Sequence, residues 1–222
     1  MIEEGEEMGG NVRERHGTYR HPAFGLLIFL FSLSMAVSAF GGQFEDATSA
    51  YERGDYATAF RLMKPLAEKG DAKAQHNLGV MYDYGRGISR DSTKALMWYR
   101  SAAEQGIPEA QHNLGLMYYQ GQGVPQNYAE AAKWYRRAAG QGMADSQVNL
   151  GMMYYHGQGV SRDYVLAHMW LNLAASQYPA SVRESLNDAI HYRDIVNSLM
   201  TPEQIAKAER LAREWKPKKE GK

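Results

Sequence analysis

From residue 71 onward the apolar positions recur with two superimposed periods. Over short stretches they follow i, i+4, i+7 and i+8, which puts side chains on one face of a helix. Ala74, Leu78, Met81 and Tyr82 form one such set, and Ala110, Leu114, Met117 and Tyr118 another. Ser146, Leu150, Met153 and Tyr154 form a third, with serine in the leading place. The longer period is 36 residues: segments 71–106, 107–142 and 143–178 align without a gap, the first two agreeing at 18 of 36 positions and the last two at 17. Each segment carries a second helical set, namely Ala95, Trp98 and Ala102, then Ala131, Trp134 and Ala138, then Ala167, Trp170 and Ala174.

Between the two sets lies a polar break containing a G-x-G pair: Gly85 and Gly87, Gly121 and Gly123, Gly157 and Gly159. Glycine takes the left-handed conformation that ends helices. Four residues past each second glycine stands Asp91, Asn127 or Asp163, each an N-cap type whose side chain can accept from an orphan backbone N–H. The unit is helix, glycine turn, helix. Gly79, Gly115 and Gly151 fall inside the first helix, where glycine costs about 1 kcal/mol against alanine. Three repetitions of that cost predict a close approach by another helix.

A helical pair repeated at this period cannot bury its apolar face alone and must stack on its neighbours. The signature A-x-x-x-L-G-x-x-Y-x-x-G-x-G-[IV]-x-x-[DN]-x-x-x-A-x-x-W-x-x-x-A-A-x-x-G resembles the Sel-one-like repeat family, within the tetratricopeptide-like α-solenoids. The resemblance implies an all-α, right-handed α/α solenoid of helix–turn–helix repeats with a C-terminal capping helix. Repeats are expected across residues 40–178, with 47–70 a degenerate leading unit in which Ala47, Tyr51, Gly54, Asp55, Tyr56, Ala59, Leu66 and Gly70 keep the order. Ser146 and Tyr178 depart from the signature, and regular stacking is expected to end at the second. Residues 179–216 read as capping helices, the last opening on Thr201-Pro202-Glu203-Gln204, a capping-box arrangement. That last helix is expected to seal the helix before it, and 217–222 to form a solvated tail.

Residues 22–40 carry no charge, have an apolar centre from Leu26 to Leu33, and follow Arg13, Arg15 and Arg20. With small residues Val37 and Ala39 at the exit, residues 1–39 read as an N-terminal extension and secretory signal peptide cleaved near Ala39–Phe40. A periplasmic or secreted location follows from that reading, with membrane attachment only if the signal is retained. Removing 1–39 takes away three arginines and five glutamates and leaves a net charge of +2. This near-neutral balance gives no basic footprint for nucleic acid. The chain has no cysteine, so a thiol nucleophile and a lipidated cysteine are both excluded.

The motifs H-E-x-x-H, G-x-S-x-G, S-x-x-K and the phosphate-binding G-x-x-x-x-G-K-[ST] are all missing, and no cofactor signature stands in the chain. His76 and His112 share a repeat position but read as surface histidines of a duplicated unit, because copy three has Val148 there. The resemblance implies a non-enzymatic scaffold or regulator of protein complexes in a bacterial cell envelope. An envelope hydrolase acting on cell-wall or β-lactam-type substrates is the alternative. In tetratricopeptide-like stacks the first helices line a concave side. The positions that point away from each first helix's buried face are His76, Val80 and Asp83; His112, Leu116 and Tyr119; and Val148, Met152 and Tyr155. Spaced i, i+4, i+7, these nine form three stripes expected to hold a protein or peptide partner.

Overall fold

The computed structural model describes residues 42–179, 181–218 and 220. The expected signal segment lies outside them. The described residues form helices and connecting turns: α1 (42–52), α2 (Tyr56–Glu68), α3 (Ala72–Tyr84), α4 (Ser92–Glu104), α5 (Pro108–Gln120), α6 (Tyr128–Gly140), α7 (Ala144–His156), α8 (Tyr164–Gln177), α9 (Arg183–Asn197) and α10 (Pro202–Glu214). Each helix from α3 to α8 packs on the one before and the one after it, as an α-solenoid requires.

The turns form as their residues dictate. Gly85, Gly121 and Gly157 end α3, α5 and α7 in the left-handed region, at φ 68, 73 and 72°. Asp91, Asn127 and Asp163 then accept from the third residue of the following helix, at 3.0, 3.1 and 3.0 Å. The second glycine of each pair joins one repeat to the last. A Cβ on Gly87 would stand 2.1 Å from the Tyr56 carbonyl oxygen, and one on Gly159 would stand 2.2 Å from that of Tyr128. Tyr56 and Tyr128 open the second helices of the preceding repeats, so these glycines seat each turn on its neighbour's helix.

The close approach at the helix-interior glycines is made by a ring. A Cβ on Gly79 would lie 2.6 Å from the Tyr99 ring, and one on Gly115 would lie 2.8 Å from that of Tyr135. In the third repeat the Leu171 side chain takes the ring's place, at 2.9 Å from Gly151. Tyr99 and Tyr135 are each 1% exposed and anchor their second helices. The tryptophan one position earlier is only partly buried at Trp98.

A buried amide ladder accompanies this core, and the apolar pattern gave no sign of it. Gln75, Gln111 and Gln147 each donate from Nε2 to a carbonyl eight residues back, Ala67, Ala103 and Ala139, at 3.1, 3.1 and 3.2 Å. Gln105, Gln141 and Gln177, at the ends of the second helices, donate to the same three side chains at 2.7, 2.9 and 3.2 Å. Every repeat is thereby tied to the next through groups that would be costly to leave unpaired when buried.

Both α9 and α10 pack on α8. The expectation that α10 seals α9 is therefore corrected. Trp215, just past α10, meets Trp170 of α8 edge-on at 6.2 Å, and α10 holds its capping box through Thr201 and Gln204. Of the tail, Pro217 and Lys218 are exposed, and the Lys218 N–H donates to the Gly140 carbonyl at 2.8 Å. Deleting residues 201–222 is expected to lower the melting midpoint by on the order of 10 °C, because it uncovers the Trp170 face of α8. Differential scanning calorimetry checks this, and an unchanged midpoint would show that α10 is not a cap.

The first-helix face as candidate interaction surface

The first helices α3, α5 and α7 carry the three predicted stripes, and all nine residues are half-buried, neither sealed in the core nor fully exposed. The structure divides them into two groups with different work. His76 and Val80 line a depression of about 270 Å³ between α1 and α3, with Thr48 and Tyr51 opposite. Leu116, Tyr119, Val148 and Met152 line a second of about 290 Å³ between α5 and α7, closed at one side by Tyr192 of α9. The remaining three residues are engaged with neighbouring elements. Asp83 accepts from Gln122 at 2.6 Å, and the His112 ring bonds the Ser146 hydroxyl at 2.8 Å. Tyr155 packs with Tyr164 and joins the cluster that seats Val196 of α9.

The two histidines are connectors of successive first helices, which corrects their reading as surface groups. The His76 ring meets Asn113 of α5 at 3.2 Å, and its centroid lies 5.8 Å from that of the Tyr99 ring. His112 stands likewise 5.6 Å from Tyr135. Burial holds both imidazoles below their ordinary value of 6.5, with Glu109 opposing at His76 and Asp145 at His112. Buried His168 of α8 is also held down, first by burial and then by Arg193 of α9, against Asp194 of α9 and Glu209 of α10.

The sign of the linkage follows. As pH falls through 6.5 the unfolded chain takes up these protons before the folded one does, so stability is full above that value and declines below it. The melting midpoint is expected to fall between pH 7.5 and 5.5, and His76→Gln with His112→Gln is expected to flatten the slope. A midpoint that rises on acidification would contradict this.

The groove between α5 and α7 is suited to contact. Met152 offers an adaptable thioether, while Tyr119 presents a ring held 5.1 Å from that of Tyr128 and a hydroxyl donating to Gln158 at 3.3 Å. Sequence spacing missed Tyr192, His156 and Gln158. Tyr192 belongs to the cap, and its arrival at the groove depends on how α9 docks. Two polar groups of the α1–α3 depression, on Thr48 and His76, are engaged elsewhere. The Thr48 hydroxyl donates to the carbonyls of Phe44 and Glu45, at 3.1 and 2.9 Å, while His76 turns to Asn113. Among the described residues no cluster of three or more His, Asp or Glu could hold a metal ion. Nor is any described helix long and apolar enough to cross a membrane.

The sequence matches the Sel1 repeat family at residues 42–71, 72–107, 108–143 and 144–178, more than half of the chain. A protective antigen present in uropathogenic Escherichia coli strains, solved with an SLR fold, is 35% identical at a TM-score of 0.70; the match covers 82% of this chain and 38% of that one. A Sel1 repeat protein from Oxalobacter formigenes is 29% identical at a TM-score of 0.60, covering 71% of this chain and 68% of that one. The DAP3-binding cell death enhancer 1 of Rattus norvegicus is 39% identical over 69 residues, 31% of this chain. That match spans 13% of the rat protein's length.

Proposed function

The chain belongs to the Sel1 repeat family, and from that premise we propose that it is an exported scaffold of a bacterial cell envelope, holding a protein or peptide partner on its first-helix face. Sel1 repeats mediate protein–protein interactions, and the family is generally a non-catalytic interaction fold. The observation that carries the reading is the groove between α5 and α7. There Leu116, Tyr119, Val148, Met152 and Tyr192 surround about 290 Å³ with apolar and amphipathic side chains reachable from outside. Such a surface fits a partner's aromatic or aliphatic anchor.

Export is supported by the basic, apolar and small-residue order of residues 13–40. The exported form is expected to begin near Phe40, which N-terminal sequencing of protein recovered from the host checks. Recovery of the intact chain in the membrane fraction would replace export with anchoring.

Site-specific photo-crosslinking tests the binding face. A benzophenone amino acid at position 152 is expected to capture a partner in an envelope extract, whereas one at position 97 is not, since Met97 is 61% exposed on α4, away from the groove. Capture from position 97 alone would move the interaction off the first-helix face.

A further inference from the structure

The opposite end of the helices carries a second feature, formed where each second helix hands over to the next repeat. Gly70, Gly106 and Gly142 recur there at the repeat period with φ of 95, 90 and 98°. The chain's own tail lies along this edge. Pro217 packs at Gly142, where an added Cβ would be 3.7 Å away. Glu220 lies on Gly106 so closely that a Cβ there would stand 2.6 Å from the Glu220 carbonyl oxygen. Pro217 and Glu220, three positions apart in the chain, thus meet glycines one repeat apart. An extended chain advances about 3.3 Å per residue, so the step is about 10 Å, which matches the usual helix-to-helix spacing.

The Glu220 contacts are specific. Its Oε2 accepts from Arg137 Nε at 2.7 Å, from Arg137 Nη2 at 2.6 Å and from Gln111 Nε2 at 2.8 Å. Its backbone N–H donates to Gln141 Oε1 at 3.3 Å. The glutamine ladder thus reads both the side chain and the backbone of the segment lying on it. Arg137 is peculiar to this step, since Ser101 and Leu173 hold the aligned places one repeat before and after. The two side chains stay 30% and 33% exposed, so solvent reaches the pair and the contact can exchange. One step further along, among the described residues nothing comes within 4 Å of a Cβ on Gly70, and an open depression of about 870 Å³ adjoins it, bounded by Leu66, Lys73 and Ile107.

We propose that this edge is a second recognition site, for an extended segment bearing a carboxylate side chain, and that the C-terminal tail is its built-in competitor. Arg137 and Gln111 take the carboxylate, Gln141 reads the backbone, and Gly106 admits the main chain. A partner segment long enough to continue past Gly70 gains contacts beyond those the described tail makes, which gives it an advantage over the tail.

Fluorescence polarisation tests the site with a fluorescein-labelled peptide WKPKKE, the sequence of residues 215–220, as probe. Glu220→Ala in the full chain releases the anchor and leaves the site intact. It is expected to bind the probe at least about tenfold more tightly than the unaltered chain, because a tail holding the site nine-tenths of the time cuts apparent affinity by that factor. Arg137→Met added to Glu220→Ala is expected to abolish the gain, as is glutamine for glutamate in the probe, a control that needs no further change to the protein. Equal affinity of the unaltered and Glu220→Ala chains would overturn the proposal. So would binding that ignores the probe's carboxylate, or no binding to Glu220→Ala at about 1 mM probe, the range of a short tether's effective concentration.

Discussion

Replacing Gly159 by valine is expected to destabilise the stack by about 3 kcal/mol or more, combining backbone strain with a clash against fixed atoms. At φ 67° the residue sits where a β-branched side chain is a steric outlier. Its Cβ would press to 2.2 Å on the Tyr128 carbonyl oxygen and 2.3 Å on the carbonyl carbon. Neither atom can retreat, because Tyr128 opens α6 and its carbonyl belongs to that helix's first turn. Relief requires the 143–178 repeat to lift away from its predecessor, which would break coupling along a chain of nearest-neighbour contacts. A denaturant titration is expected to show a lower midpoint, with the repeats on the two sides of the joint losing a common transition. Gly140 is the contrast: nothing lies within 4 Å of an added Cβ, so Gly140→Ala is expected to stabilise by about 0.5 kcal/mol through helix propensity. A loss below about 1 kcal/mol at Gly159 would show that the joint is looser than its geometry.

That joint also shows how far the sequence can be read. The recurrence of G-x-G announced a turn, and the capping residues after it marked where each second helix begins. Both follow from local chemistry, which a single strand of sequence carries. The partner of the second glycine lies 31 residues earlier in the chain, and only the stack brings Tyr128 to it. Likewise the glycine inside the first helix predicted a close neighbour but not that a tyrosine ring would fill the space. Gln75, Gln111 and Gln147 are polar and look like solvent-facing residues, yet Gln111 and Gln147 are fully buried. Their burial depends on carbonyls at the end of the previous helix and amides from the following one. Periodicity within one helix cannot show such a clamp.

The candidate groove was legible to the same extent. Helical spacing placed Leu116, Tyr119, Val148 and Met152 on one face, and these four line one depression. It could not say that His112 and Asp83 would turn to neighbouring repeats, nor that Tyr155 would be claimed by α9. These engagements change which substitutions are informative. Truncating Tyr155 would loosen the cap as well as any partner contact, since it shares a cluster with Tyr192 and Val196. Tyr119 and Met152 face the depression without joining that cluster.

Tyr119→Ala and Met152→Ala together are therefore expected to weaken partner binding by at least about 2 kcal/mol, the scale on which anchoring residues act at an interface. Aromatic and methionine contacts at the centre of a groove lose both buried area and shape match when truncated. Met97→Ala, on the exposed side of α4, is the matched control, because it removes a similar apolar surface away from the groove. The most direct measurement is a calorimetric titration of the partner captured at position 152 against the unaltered protein, the double variant and Met97→Ala, with each chain's fold verified by its melting midpoint. A loss of about 30-fold or more for the double variant, with Met97→Ala within about twofold of the unaltered chain, is the predicted result. Undiminished affinity in a folded double variant would contradict the account and place the partner elsewhere on the stack.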